Sequence, residues 1–391
     1  MEKRRVITLG AIGGAIALAI ALFGRAPRDA SAARVPTDPN EVLEVLPGGG
    51  TSSRERSETA QLRRVLAADP KNLPAAVRLA RIDIQLSRQH ADPRYLGQAQ
   101  AVLAPWWTDD APPAVLVLRA TIEQSLHDFD SALQHLDLAL RAEPENAQAW
   151  LTRAVVLTVT ARYDEARASC AKVLPLLDPL TFTICDTQVD ALLGKARPAY
   201  ERLAATLSGS RAASRDMREW AVGVLGEYAD RFGDTAKAEE HFKEALAIAP
   251  DDAYVRGALA DLYTDAKRYD DAIALVKDQE ANDALLLRLA IAERRANRRE
   301  AAGHIAMLAA RFEASHARGD VVHRREEARF ELELRDDPKR AYELAKANWD
   351  VQKEPWDARI FLAAAKAAHA SEEPVRAHVQ KTGLEGPGIG R

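Results

Sequence analysis

The sequence predicts an all-α protein built as a solenoid of antiparallel helix pairs. Three observations lead to this fold class. From about residue 58 onward no segment alternates like a strand, helical patterns follow one another, and small residues recur at a fixed interval. The 391-residue chain is also longer than a single compact core usually grows. Its 47% hydrophobic content excludes a largely disordered protein.

The interval between equivalent positions is close to 34 residues. Ala120 precedes Ala154 by that distance, and Phe129 precedes Tyr163 by the same distance. A small residue at such a position lets two helices approach closely, because its side chain ends at Cβ. An alanine marks the second helix of each predicted repeat: Ala99, Ala132, Ala166, Ala199, Ala238, Ala272, Ala302 and Ala341, with Ala301 as an alternative to Ala302.

This combination of period, helix pairs and small residues resembles the tetratricopeptide repeat family. The resemblance is strong in residues 113–179 and 219–277, and weak in 180–207 and beyond 282. It implies a right-handed superhelix whose first helices line a concave inner face.

The repeats predict the domain organisation of the body. Residues 58–381 are expected to form about eight repeats, and residues 382–391 a disordered tail.

The N-terminus has the pattern of a membrane leader. Three basic residues, Lys3 to Arg5, precede an uncharged apolar run from Val6 to Phe23. We therefore expect residues 1–24 to form a signal-anchor or transmembrane helix, preceding the solenoid as its single hydrophobic helix. The alternative is a signal peptide cleaved near Ala30-Ser31-Ala32, which would release the body into the periplasm. Residues 25–57, rich in proline and glycine, are predicted to be a flexible tether.

The basic flank also predicts membrane orientation. Lys3, Arg4 and Arg5 favour a cytoplasmic N-terminus. Arg25, Arg28 and Arg34 on the far side weaken that preference without reversing it. The expected location is the inner (cytoplasmic) membrane, single-pass, with the body in the periplasm. A cytoplasm-facing body is the alternative.

No catalytic motif occurs in the sequence. It lacks His-Glu-x-x-His, Gly-x-Ser-x-Gly, a phosphate loop and Gly-x-Gly-x-x-Gly, and its nine histidines are dispersed. We therefore expect no enzymatic activity, no cofactor and no metal. The formal net charge is −4, and the leader is basic, so the body is more acidic still. An acidic body is a poor partner for nucleic acid.

The two cysteines have two possible states. Cys170 is expected on a second helix, and Cys185 on the first helix of the next repeat. They could form a disulfide in an oxidising compartment. Two buried free thiols are the preferred interpretation, because the Cα separation that a disulfide needs cannot be deduced from sequence.

The resemblance implies which residues face the groove. The family's inner first-helix positions fall on Gln148, Leu151, Val155, Trp220, Glu227, Asp230, Arg231, Tyr254, Asp261 and Asp265. The acidic and aromatic part of this set suits a peptide that carries lysine or arginine. The alternative for each residue is an ordinary solvated helix face.

Tyr95, Trp106 and Trp107 are further interface candidates. A lengthened turn leads into Tyr95, and paired tryptophans are frequent anchors at interfaces. The alternative is that the tryptophans seal the seam between two repeats.

The predicted function is that of a noncatalytic, membrane-tethered scaffold or assembly factor that binds a partner peptide in its concave groove. The alternative is a noncatalytic subunit of an envelope enzyme or export complex. The sequence leaves the partner's identity and the oligomeric state open.

Overall fold

The computed structural model describes residues 53–90, 92–108, 110–317 and 323–390. Within these ranges the chain forms nineteen α-helices, one short 3₁₀ helix (Ala104–Trp106) and no strand. The helices are α1 (Ser53–Ala68), α2 (Leu73–His90), α3 (Arg94–Leu103), α4 (Pro113–Ser125), α5 (Phe129–Ala142), α6 (Ala147–Val159), α7 (Tyr163–Val173), α8 (Pro179–Leu192), α9 (Ala196–Gly209), α10 (Arg215–Arg231), α11 (Thr235–Ile248), α12 (Ala253–Asp265), α13 (Tyr269–Val276), α14 (Asp283–Arg295), α15 (Ala301–Ala317), α16 (Arg324–Glu333), α17 (Pro338–Val351), α18 (Pro355–Ala368) and α19 (Glu373–Thr382).

The helices from α2 onward form nine successive pairs, each packed against the next. The helical solenoid predicted from the sequence is therefore confirmed, with one more pair than the expected eight. The alanines that mark the second helices are buried at every position but one. In α15 the buried residue is Ala301, whereas Ala302 is exposed.

A left-handed residue closes the turn inside each of the last eight pairs. The residues with positive φ at these turns are His127, Ala161, Gly194, Gly233, Lys267, Asn297, Asp336 and His369. This conformation reverses the chain direction at the end of a helix. Because only two of the eight are glycines, the turns repeat in backbone conformation without repeating in sequence.

Close helix contact explains one small residue directly. A Cβ atom on Gly226 of α10 would lie 2.6 Å from the ring of Phe242 in α11. That ring is buried, so it has little room to move. Only glycine fits at this crossing.

The superhelix closes on itself instead of remaining an open trough. Helix α2 packs against α12. The backbone N–H of Lys353 donates to the carbonyl of Val159 at 2.8 Å, which joins the α17–α18 turn to the end of α6. Trp349 and Phe361 share one hydrophobic core with α4 to α7. The C-terminal pairs are therefore part of the same packed body as the N-terminal ones.

The C-terminal residues fold back onto this body, so the predicted disordered tail is wrong for residues 383–390. Leu384 and Ile389 are buried. Glu385 Oε1 accepts a hydrogen bond from the backbone N–H of Ala196 at the start of α9, at 3.0 Å. Two buried apolar side chains and this hydrogen bond fix the segment on the body.

The described residues cover only part of the segment to which the N-terminal predictions apply. Residues 53–57, expected in the tether, belong to α1. The predicted membrane helix, residues 1–24, and the rest of the tether lie outside the described residues. Among the helices that the structure does describe, none combines the length and apolarity needed to cross a bilayer.

Cys170 of α7 and Cys185 of α8 are joined in a disulfide. The preference for two free thiols is thus not what the structure shows. The packing of α7 on α8 brings their Cα atoms to 5.7 Å, within the range that a disulfide requires. The bond links two successive helix pairs covalently.

Candidate functional site

First helices surround a central cavity of about 790 Å³, which we call the lumen. Its wall is built by α2, α4, α10, α12, α14, α16 and α18, and the C-terminal segment 386–389 closes part of it. A cavity of this size is within the range of roughly 300–1,000 Å³ typical of ligand sites.

Six of the ten predicted groove residues line the lumen: Glu227, Asp230, Arg231, Tyr254, Asp261 and Asp265. They come from α10 and α12, the region where the repeat pattern is strong. Gln148, Leu151, Val155 and Trp220 do not line it. Leu151 packs against the disulfide, and Trp220 is half-buried against a hydrophobic core, whereas Gln148 and Val155 are exposed.

The interface candidates outside the groove have structural contacts. Only 3% of Tyr95 is exposed, so it is a core residue and not an accessible anchor. Trp106 and Trp107 pack partly buried against the largest hydrophobic core. The Arg119 guanidinium lies 4.9 Å from the centre of the Trp107 ring. Because Arg119 belongs to the next repeat, this contact matches the alternative that the tryptophans seal a seam.

Arginines of this same chain neutralise most of the acidic wall. Asp261 accepts hydrogen bonds from Arg288 Nε at 2.8 Å and from Arg329 Nη1 at 2.7 Å. Asp265 forms two hydrogen bonds of 2.6 Å with Arg359. Burial would raise the pKa of Asp261, but Arg288 and Arg329 outweigh burial and hold that pKa below its ordinary value.

A second charge network surrounds Arg325. Its guanidinium donates to Glu326 at 3.2 Å and to Glu354 at 3.0 Å, and it lies 3.5 Å from Asp357. The last of these carboxylates is buried behind the wall. Burial raises the pKa of Asp357 to about 6, against the lowering effect of Arg325.

Two aromatic side chains contribute to the apolar surface of the lumen. Trp356 lies between two guanidinium groups, 4.9 Å from Arg329 and 4.3 Å from Arg359. Tyr254 donates its hydroxyl hydrogen to Glu227 at 2.8 Å, yet 65% of the residue remains exposed. The negative charge of Glu227 raises the pKa of Tyr254 well above its ordinary value. Tyr254 is therefore a neutral, accessible ring on the lumen wall.

Two charged residues of the lumen have neither a side-chain hydrogen bond nor an ion pair among the described residues. One is Arg88 near the end of α2, and the other is Asp230 in α10. Arg88 is exposed on the lumen side of α2. Asp230 is half-buried, and burial, followed by the charge of Asp265, raises the pKa of Asp230 to about 6. This shift is that of a charge that lacks sufficient solvation or a partner.

The sequence analysis did not predict the arginine side chains that line the lumen. Arg288, Arg325, Arg329 and Arg359 all lie beyond residue 282, where the 34-residue pattern is weak. Without a reliable register, their inner-face positions could not be assigned. A usable signal was the contrast between acidic first helices around residues 220–265 and arginine-bearing first helices after them.

Family models described as tetratricopeptide repeat match two segments of the chain, residues 117–179 and residues 231–285. These matches and the all-α solenoid define the class of protein as a helical repeat protein. No curated protein matches the chain in sequence.

Solved structures of similar fold are distant in sequence. A Rap protein complexed with Competence and Sporulation Factor is 16% identical, with a TM-score of 0.49, over 81% of this chain and 93% of that one. A human IFIT1 dimer with m7Gppp-AAAA is 13% identical, with a TM-score of 0.45, over 84% and 85%. The Cut9–Hcn1 assembly of the APC/C is 13% identical, with a TM-score of 0.43, over 78% of this chain. The chain spans 52% of the matched chain in that assembly.

Proposed function

We propose that this protein is a noncatalytic binding protein that accepts a segment of a partner in its lumen. The observation that carries the proposal is Tyr254, a large aromatic ring that lines the lumen and is mostly exposed there. An exposed ring costs free energy unless a ligand covers it, and tyrosine is frequent among residues that dominate binding. Tetratricopeptide repeats support a scaffold function for the chain as a whole.

We further propose that the body is held outside the cytoplasm by a membrane anchor. The basic and apolar pattern of residues 1–24 supports the anchor. The disulfide between Cys170 and Cys185 supports an oxidising compartment, because disulfides persist mainly there. An alkaline phosphatase fused after Arg391 should be active, and an inactive fusion would count against this topology.

Site-specific photocrosslinking tests binding in the lumen. A photoreactive phenylalanine analogue replaces Tyr254 in the full-length chain, and a matched variant carries it at Arg299, whose side chain is 94% exposed. We expect ultraviolet light to link the first variant, and not the second, to a partner in intact membranes. Equal crosslinking from both positions, or none from either, would refute the lumen as the binding site.

The identity of the captured protein separates the two functional classes. Many partners in small amounts support an assembly factor that handles several clients. One enzyme or exporter in stoichiometric amount supports the alternative of a noncatalytic subunit.

A further inference from the structure

We propose that the lumen recognises a short zwitterionic peptide, with Asp230 binding its N-terminal ammonium group and Arg88 binding its C-terminal carboxylate. This inference rests on the proposed function, because it assigns a ligand chemistry to the same lumen. It starts from the pairing of charges along the lumen wall. One acidic side chain, Asp230, and one basic side chain, Arg88, have no partner among the described residues.

Every other charged side chain of the wall already has a polar partner in the described structure. Asp261 and Asp265 bind arginines, and Glu227 binds Tyr254 and Arg231. Asp252 caps α12 by accepting from the backbone N–H of Val255 at 2.7 Å. The carboxylates of Glu326, Glu354 and Asp357 form ion pairs with the Arg325 guanidinium. Charges that are satisfied within the fold offer a ligand little additional binding energy.

Arg88 and Asp230 differ from that set. Neither has an ion-pair partner among the described residues, and they lie on different walls, in α2 and α10. Asp230 is half-buried, and a carboxylate in such a position is unfavourable unless a counter-charge arrives, whereas Arg88 is exposed and accessible to the anionic group of a ligand. A ligand with a positive group and a negative group would satisfy both at once.

Peptide chemistry fits the rest of the cavity. The volume of about 790 Å³ is much smaller than a folded domain, yet it is adequate for a short peptide. Trp356 and Tyr254 supply aromatic surface in the same cavity. An ammonium group near Asp230 would also be within the aromatic and acidic environment that favours cations.

The binding experiment uses the full-length protein and synthetic peptides of graded length. Each peptide is prepared in three forms: with both ends free, with an acetylated N-terminus, and with an amidated C-terminus. Retention of each form by the protein is measured by equilibrium dialysis and mass spectrometry. We expect blocking either end to weaken binding by about tenfold to a hundredfold, the effect of losing one charge-assisted hydrogen bond.

Variants assign each end to its residue. Asp230→Asn should remove the advantage of a free N-terminus and leave that of a free C-terminus, whereas Arg88→Gln should do the reverse. Asp216→Asn and Arg81→Gln are matched controls on the same two helices. Both control residues are exposed and lie outside the lumen wall, so they should leave binding unchanged.

The outcomes separate this inference from the proposed function. Equal retention of free and blocked peptides would overturn the zwitterion assignment while leaving the lumen as a binding site. Failure to retain any peptide, together with crosslinking from position 254, would overturn it in the same way. Loss of selectivity in the control variants would overturn the roles of Arg88 and Asp230.

Discussion

The carboxylate of Asp261 provides a test of whether interhelical ion pairs hold the lumen together. Its two oxygens bind Arg288 and Arg329, so α12, α14 and α16 meet at this one side chain. Only 3% of the residue is exposed. Asp261→Asn keeps the shape of the side chain but removes the charge that both arginines face.

The size of the expected effect follows from burial. Removing one partner of a buried ion pair costs about 3–5 kcal/mol, because the remaining charge loses its compensation. Arg329 keeps a second acceptor, Glu333, at 2.9 Å. We therefore expect Asp261→Asn to cost about 3 kcal/mol, at the lower end of that range.

A matched control makes the same chemical change at the surface. Asp270 accepts from Arg298 at 2.7 Å, but its side chain is 76% exposed and that of Arg298 is 52% exposed. Exposed pairs contribute roughly 0.2–1 kcal/mol, so Asp270→Asn should have little effect. Urea unfolding followed by helical circular dichroism measures both variants. Equal midpoints for Asp261→Asn and Asp270→Asn would refute the claim that the buried network stabilises the closed form.

Three further predictions concern packing, the disulfide and pH. Gly226→Ala should lower the unfolding midpoint, since overpacking costs about 1–3 kcal/mol. Gly223→Ala in the same helix meets only an ordinary 3.5 Å contact and should raise the midpoint slightly; equal shifts would contradict this reasoning. Reducing the bond between Cys170 and Cys185 should cost about 3 kcal/mol, and the double serine variant should not respond to reductant. Burial raises the pKa of Asp83 to about 6, above its unfolded value, so the folded protein gains stability as pH falls through 6. Asp83→Asn should therefore raise the midpoint at pH 8 and have little effect near pH 4; an equal gain at both values would contradict the assignment.

The sequence was sufficient to predict the helix pairs where each repeat packs its two helices in the same way. Ala132, Ala166 and Ala238 are fully buried on their second helices, and their regular spacing is visible in the sequence. The turns show the limit of this approach. His127 and Lys267 adopt the same left-handed conformation as Gly233, so the backbone repeats where the residue type does not.

Closure of the superhelix could not be predicted from the repeats. It depends on contacts between residues far apart in the chain, such as Arg359 with Asp265 and Lys353 with Val159. A periodic pattern describes how each pair packs on the next one, but it carries no information about which distant pairs meet. Leu384 shows the same limit, because a short glycine-rich segment becomes ordered only through a surface that the rest of the fold creates.

Closure changes the peptide chemistry that the acidic groove suggested. A basic peptide approaching Asp265 would have to displace Arg359, which already binds that carboxylate through two hydrogen bonds of 2.6 Å. The exchange replaces one charge-assisted pair with another and therefore yields little net binding energy. Net attraction is left to charges that the fold has not paired. Selectivity should thus depend on Asp230 and Arg88 more than on the larger number of acidic side chains that first drew attention to this face.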